Sequence, residues 1–128
     1  MENKKLSILL VEDDTFLLNM YAAKFTSEKF ETFVADNGIK AISLAKEKLP
    51  DIILLDVLLP KMDGFEVLQS LKANSSTKNI PVILLTNLSQ KEKVQEGLKL
   101  GAVDFLIKAH FMPTEVVAKV NDVLTNKK

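Results

Sequence analysis

The chain has 128 residues, 47% of them hydrophobic and 27% charged, which is ordinary globular usage and enough material for one core. Seventeen basic residues, every one a lysine, balance seventeen acids, so no net field draws the molecule to nucleic acid or an anionic membrane, and no guanidinium fork is available for guanine edges. The absence of cysteine excludes disulfide frameworks, thiolate metal sites and cysteine nucleophiles, in keeping with a reducing compartment.

Ile8 to Val11 is a short apolar block, Glu12 to Asp14 interrupts it, and Leu17, Tyr21 and Phe25 then recur at helical spacing within Phe16 to Phe25; the order is strand, loop, helix. The whole apolar stretch from Leu6 to Val11 is far too short for a signal peptide or a membrane span, which predicts a cytoplasmic protein without membrane partners. Phe30 to Ala35 reads as a second strand, Asp36, Asn37 and Gly38 as a turn, and Ile39, Ile42 and Ala45 as one face of a second helix that stops before Pro50. Ile52 to Leu55 is wholly apolar, as strands covered on both faces are.

The same unit then repeats twice. Phe65 to Ala73 predicts a helix, Asn74 to Asn79 a polar loop and Ile80 to Leu85 a second continuous apolar strand. Lys91 to Leu100 predicts a helix capped by Gly101, Phe105 to Ile107 a strand, and Thr114 to Leu124 a last helix with Pro113 near its first turn. Gly97 inside the fourth helix costs about 1 kcal/mol against alanine, which predicts a locally weak helix suited to moving. Five strands alternating with five helices predict a doubly wound parallel α/β sheet, and the strand order 2-1-3-4-5 of flavodoxin-like folds is the expected one. With no linker, low-complexity tract or longer repeat, residues 1–128 are expected to form one domain carrying no second domain.

Sites in open α/β sheets form outside the carboxyl ends of the strands, and chemically capable residues fall there on four of them. Glu12 and Asp13 follow strand 1, Asp56 strand 3, Thr86 strand 4 and Lys108 strand 5. Two carboxylates about 4 Å apart repel by on the order of 4 kcal/mol at an effective dielectric near 20, so three clustered acids call for a cation or protons. Mg²⁺ is the natural solution, since it accepts one or two carboxylates and keeps other positions for water or a phosphoryl oxygen. Lys108 then adds positive charge and the Thr86 hydroxyl a donor, a clamp of the kind that in-line phosphoryl transfer needs.

The strings VEDD at Val11 to Asp14, PDIILLDVLLPKMDG from Pro50 to Gly64, VILLTN from Val82 to Asn87 and GAVDFLIK from Gly101 to Lys108 closely resemble the receiver domains of response regulators, and the resemblance covers essentially the whole chain. It implies that Asp56 is a phosphoacceptor, that Asp13 and Asp56 ligate Mg²⁺ directly, that Glu12 does so through water and that the Leu58 carbonyl is a further ligand. It implies that Thr86 and Phe105 form the switch and that Lys108 binds phosphate. The implied partners are a sensor histidine kinase or histidine phosphotransfer protein and a downstream target protein, with no direct nucleic-acid contact, in a two-component system or phosphorelay. The implied chemistry is the domain's own phosphorylation and slow dephosphorylation, not turnover of a separate substrate.

Several positions depart from the family's pattern. Ala109 stands after Lys108 where proline is common, and a cis bond there costs roughly 3 kcal/mol. Phe105 stands where tyrosine is frequent, and Asn87, with Leu58 and Leu88, is bulkier than the usual residues and predicts exclusion of attacking water and a long-lived phosphorylated state. Asp14 is better read as a helix cap than as a ligand, and His110 is unassigned. A pseudo-receiver that binds proteins without taking phosphate is the main rival. A phosphohydrolase reading lacks the second acid at Leu58, and an FMN-carrier reading would place a phosphate against Glu12 to Asp14.

Overall fold

A computed structural model describes residues 5–87, 92–108 and 112–125. The elements run β1 (Ser7–Val11), α1 (Thr15–Ser27), β2 (Glu31–Ala35), α2 (Gly38–Lys48), β3 (Ile52–Asp56), α3 (Gly64–Ala73), β4 (Val82–Thr86), α4 (Val94–Lys99), β5 (Asp104–Ile107) and α5 (Pro113–Thr125). All strand pairs are parallel and the sheet order is β2-β1-β3-β4-β5, as the flavodoxin-like expectation requires.

Side chains alternate across a strand, and the sheet uses both faces. Leu9, Val11, Ile53, Leu55, Val82 and Leu84 face a core closed by Ala41 and Ala45 of α2 and Val67, Leu68 and Leu71 of α3. Ile8, Leu10, Ile52, Leu54, Ile83, Leu85 and Leu106 face the other, closed by Leu18, Tyr21 and Phe25 of α1 and Val116, Val117 and Val120 of α5. The middle strands β3 and β4 are buried along their whole length, which is why they read as unbroken apolar runs.

Capping follows local chemistry. Asp14 caps α1 by accepting the Leu17 amide at 3.0 Å, and Asn37 caps α2 through Lys40. Asp63 and Glu66 form a reciprocal capping box on α3, a D-x-x-E signature present in the sequence. At the end of α1, Lys29 takes a left-handed φ of 76° while the Phe30 amide donates to Phe25 O, and the two phenyl rings meet edge to face at 5.2 Å.

The boundaries differ from expectation where a tertiary contact decides. Phe30 belongs to this helix-ending motif, not to β2. Ile80 closes the loop before Pro81, its carbonyl taken by Lys72 Nζ at 3.0 Å, so β4 begins at Val82. Gly38 is the first residue of α2 and lies against Val67 and Met62. The helix proper of α4 spans only Val94–Lys99, preceded by a turn at Glu92 and Lys93 and without a side-chain cap. Gly97 is there for packing: a Cβ would stand 2.3 Å from Leu84 Cδ1 and 3.1 Å from Phe65 Cε1. Gly101, at φ +116°, ends α4 as expected. Leu88, Lys91, Ala109 and His110 lie outside the described residues.

Candidate functional site

Register brings the acids together. Val11 pairs with Leu55 across β1 and β3, so the next residues along, Glu12 and Asp56, stand side by side at the carboxyl edge. Glu12 continues the phase of Ile8 and Leu10, Asp56 that of Ile52 and Leu54, and Lys108 that of Leu106, which puts all three on the face covered by α1 and α5. Thr86 continues the phase of Val82 and Leu84 and belongs to the opposite face, as does the half-buried Phe105, which packs against the α2–α3 core.

Glu12, Asp56 and Thr86 are almost wholly buried, at 1%, 2% and 1% exposure, whereas Asp13 is exposed. One carboxylate oxygen from each of Glu12, Asp13 and Asp56 lies within 4.8 Å of the others. Lys108 Nζ lies 2.8 Å from Glu12 Oε1 and donates to Asp56 Oδ2 at 3.0 Å. The remaining oxygens are held by backbone: Leu58 N donates to Asp56 Oδ1 and Asp14 N to Glu12 Oε2, both at 3.1 Å. The Thr86 hydroxyl donates to Asn87 O at 3.0 Å, turned toward its own loop. For Leu58 the described contact with Asp56 is through its amide, and the residue is 44% exposed.

The β3–α3 loop is tied close beneath this edge. Gly64 N donates to Val57 O at 2.8 Å, and a Cβ on Gly64 would stand 2.5 Å from Asp56 O and 2.8 Å from Val57 Cα. Lys61 takes φ 70° between Pro60 O and Met62 N, which hydrogen-bond at 2.7 Å in a three-residue γ-turn.

Burial and the neighbouring Glu12 carboxylate push the Asp56 carboxyl up to about 7, against the opposing pull of Lys108. Burial pulls the Lys108 ammonium down, but its contacts with Glu12 and Asp56 outweigh this and raise it above its ordinary value. Two buried carboxylates thus share one lysine, and the cluster favours additional positive charge.

The residues present fit a hard divalent cation. Three carboxylates converge, two of them buried, and the ammonium placed among them, Lys108 Nζ at 2.8 Å from Glu12 Oε1 and 3.0 Å from Asp56 Oδ2, carries a single positive charge against three acids. Glu12, Asp13 and Asp56 are the residues that would hold such an ion. Tyr21, read in the sequence only as a helix-face residue, is buried in the same compartment; its eight-residue separation from Asp13 carries no local signal of that neighbourhood.

An acidic cluster at the edge shared by β1 and β3, with a lysine from β5 across it, defines a flavodoxin-like domain whose site lies at the topological switch point. The chain belongs to the response regulator receiver domain family, whose model matches residues 8–121. It is 45% identical over 101 residues to the response regulator PleD of Caulobacter vibrioides, covering 79% of this chain and 22% of that protein. It is 37% identical over 120 residues to the DNA-binding response regulator MtrA of Mycobacterium tuberculosis, covering 94% and 51%. The chain therefore spans about half or less of the length of these curated relatives. Among solved structures, it superposes on the chemotaxis protein CheY4 of Vibrio cholerae with a TM-score of 0.87 and 29% identity, covering 94% and 99% of the two chains. It also superposes on the receiver domain of the Pseudomonas aeruginosa sensor histidine kinase PA1611 with a TM-score of 0.86 and 26% identity, covering 96% and 100%; that structure has a magnesium ion coordinated in its active-site cleft. Receiver domains act in two-component signalling, and none of the described helices is long and apolar enough to cross a membrane.

Proposed function

We propose that this chain is a phosphorylation-activated receiver in which Asp56 accepts a phosphoryl group from a phosphohistidine of a sensor kinase or phosphotransfer protein. The observation that carries the reading is the convergence of Glu12, Asp13 and Lys108 on the Asp56 carboxylate. In the transfer, an Asp56 oxygen attacks phosphorus in line, the O–P bond forms as the P–N bond breaks, and the donor imidazole leaves. Asp56 must be ionised to attack, and Lys108 favours that form. Lys108 then exchanges its hydrogen bond with Asp56 for one with a phosphoryl oxygen, and the Thr86 hydroxyl turns from Asn87 O toward the same group. Mg²⁺ held by Glu12, Asp13 and Asp56, with the Leu58 carbonyl as a further ligand by family resemblance, supplies neutralisation of the phosphoryl oxygens.

Phe105 and Thr86 belong to the same sheet face, so movement of the threonine alters the packing that the phenyl ring meets. The readout is a population shift in the α4–β5–α5 surface and hence in affinity for a protein partner rather than nucleic acid or a membrane. The domain catalyses only its own phosphorylation and slow loss of phosphate, in the cytoplasm. Beryllofluoride with Mg²⁺ separates this reading from the pseudo-receiver. Amide resonances around Asp56, Thr86 and α4 shift if the acceptor site is intact; an unchanged spectrum would favour the phosphate-independent module.

A further inference from the structure

Leu84 stands where the parts of the switch meet. It is wholly buried, it pairs with Phe105 across β4 and β5, and it lies two positions before Thr86 on the same sheet face. Its remaining neighbour is α4. A Cβ built on Gly97 would fall 2.3 Å from Leu84 Cδ1 but 3.7 Å from Leu84 Cγ, so the end of the leucine fills the space that a side chain at position 97 would need. Phe65 Cε1 of α3, at 3.1 Å from the same point, bounds this socket as well.

These neighbours are not equally held. α3 carries a reciprocal capping box and buries Gly64, Val67, Leu68 and Leu71, whereas α4 has six residues, no side-chain cap and only Val94 and Gly97 buried. Phe105 is half-buried, and adjacent strands lie about 4.8 Å apart, so an inward turn of its ring takes up space beside Leu84. A close-packed interior has none to spare. The leucine must then move, and of the elements against it α4 gives way most readily.

We infer that Leu84 is the positioning residue that couples Phe105 to α4, with Gly97 as its socket. α4 keeps its seat on β4 only while the leucine lies along Gly97, and displacement of the leucine by the phenyl ring unseats the helix. This inference rests on the reading of the chain as a phosphorylation-activated receiver and names the contact that carries the change from β5 to α4.

The test follows amide resonances, with and without beryllofluoride and Mg²⁺, in wild type, Gly97→Ala, Leu84→Val and the double variant. The methyl of Gly97→Ala wedges the seat open. Without beryllofluoride, its α4 resonances are expected to be displaced toward the positions that wild type takes with it. By linkage, beryllofluoride at saturating Mg²⁺ is expected to bind this variant about two- to fivefold more tightly. Leu84→Val keeps an apolar, strand-favouring residue that ends at the γ position, so Phe105 turns without pressing on α4. Thr86 and Phe105 are expected to respond to beryllofluoride as in wild type, while the α4 response falls about threefold or more. In the double variant the methyl at position 97 enters the vacated space, and α4 without beryllofluoride returns to its wild-type positions. Displacement of α4 in Gly97→Ala along a direction unrelated to the beryllofluoride change, or a full α4 response in Leu84→Val, would overturn the inference and leave the receiver reading intact. A wild type that does not respond to beryllofluoride would overturn both.

Discussion

Lys108 Nζ hydrogen-bonds to Asp56 Oδ2 at 3.0 Å, joining the ends of β5 and β3 from 52 positions apart in the chain. Because it also stands 2.8 Å from Glu12, this ammonium is the counterion of two buried carboxylates and occupies the ground that a divalent cation would neutralise. Lys108→Ala is therefore expected to destabilise the metal-free fold by on the order of 2 kcal/mol, since it leaves buried charge uncompensated. Added Mg²⁺ should recover more stability in the variant than in wild type. Urea denaturation with and without Mg²⁺ measures both.

Asp56 contributes a pH dependence of definite sign. Its folded-state carboxyl titrates near 7 against 3.8 for the free group, so between these values the folded state holds a proton that the unfolded state has released. The slope of stability with pH is then negative: the group contributes nothing below about pH 4, and its penalty grows as pH rises and levels off above 7. Asp56→Asn removes the charge, so its stability advantage over wild type should be absent at pH 4 and reach a few kcal/mol, in order of magnitude, by pH 8. Denaturation midpoints across that range check this, and an advantage independent of pH would contradict it.

Two glycines sit against opposite kinds of neighbour. A methyl at Gly64 meets the backbone of Asp56 and Val57, which has nowhere to go, whereas at Gly97 it meets chiefly the end of the Leu84 side chain. Gly64→Ala should cost about 1–3 kcal/mol and weaken Mg²⁺ binding by displacing Asp56. Gly97→Ala should leave Mg²⁺ affinity unchanged and perturb amide resonances of α4 and β4. Calorimetry and Mg²⁺ titration of the two variants distinguish these effects.

Leu58, exposed and two residues after Asp56, and Asn87, next to Thr86, motivate a long-lived phosphorylated state. Purified phosphorylated protein in Mg²⁺ should lose phosphate slowly, and Leu58→Asn should hasten the loss by giving the attacking water a hydrogen-bond partner. Timed phosphate release measures both rates; rapid release from wild type would contradict the expectation.

The sheet was legible because burial on both faces writes itself as unbroken apolar strings, Ile52 to Leu55 most clearly, between segments of helical period. The site was legible because its acids, threonine and lysine fall at strand ends, where parallel topology gathers them. Boundaries that depend on partners distant in sequence were not. Ile80 looks like strand until Lys72 takes its carbonyl, Phe30 until it closes onto Phe25, and Gly97 looks like a weak point until Leu84 stands over it. Tyr21 has helix-face spacing alone, and only the packing of α1 over the sheet shows that it lies against Leu10 and Leu54, two positions before Glu12 and Asp56.

The central claim is that Asp56 accepts phosphate with help from a divalent ion. Wild type and Asp56→Asn, each incubated with acetyl phosphate and Mg²⁺ and weighed intact by mass spectrometry, test it most directly. The account predicts a single phosphoryl adduct on wild type that requires Mg²⁺ and is absent from Asp56→Asn. An unmodified wild type, or an equal adduct on the variant, would contradict it.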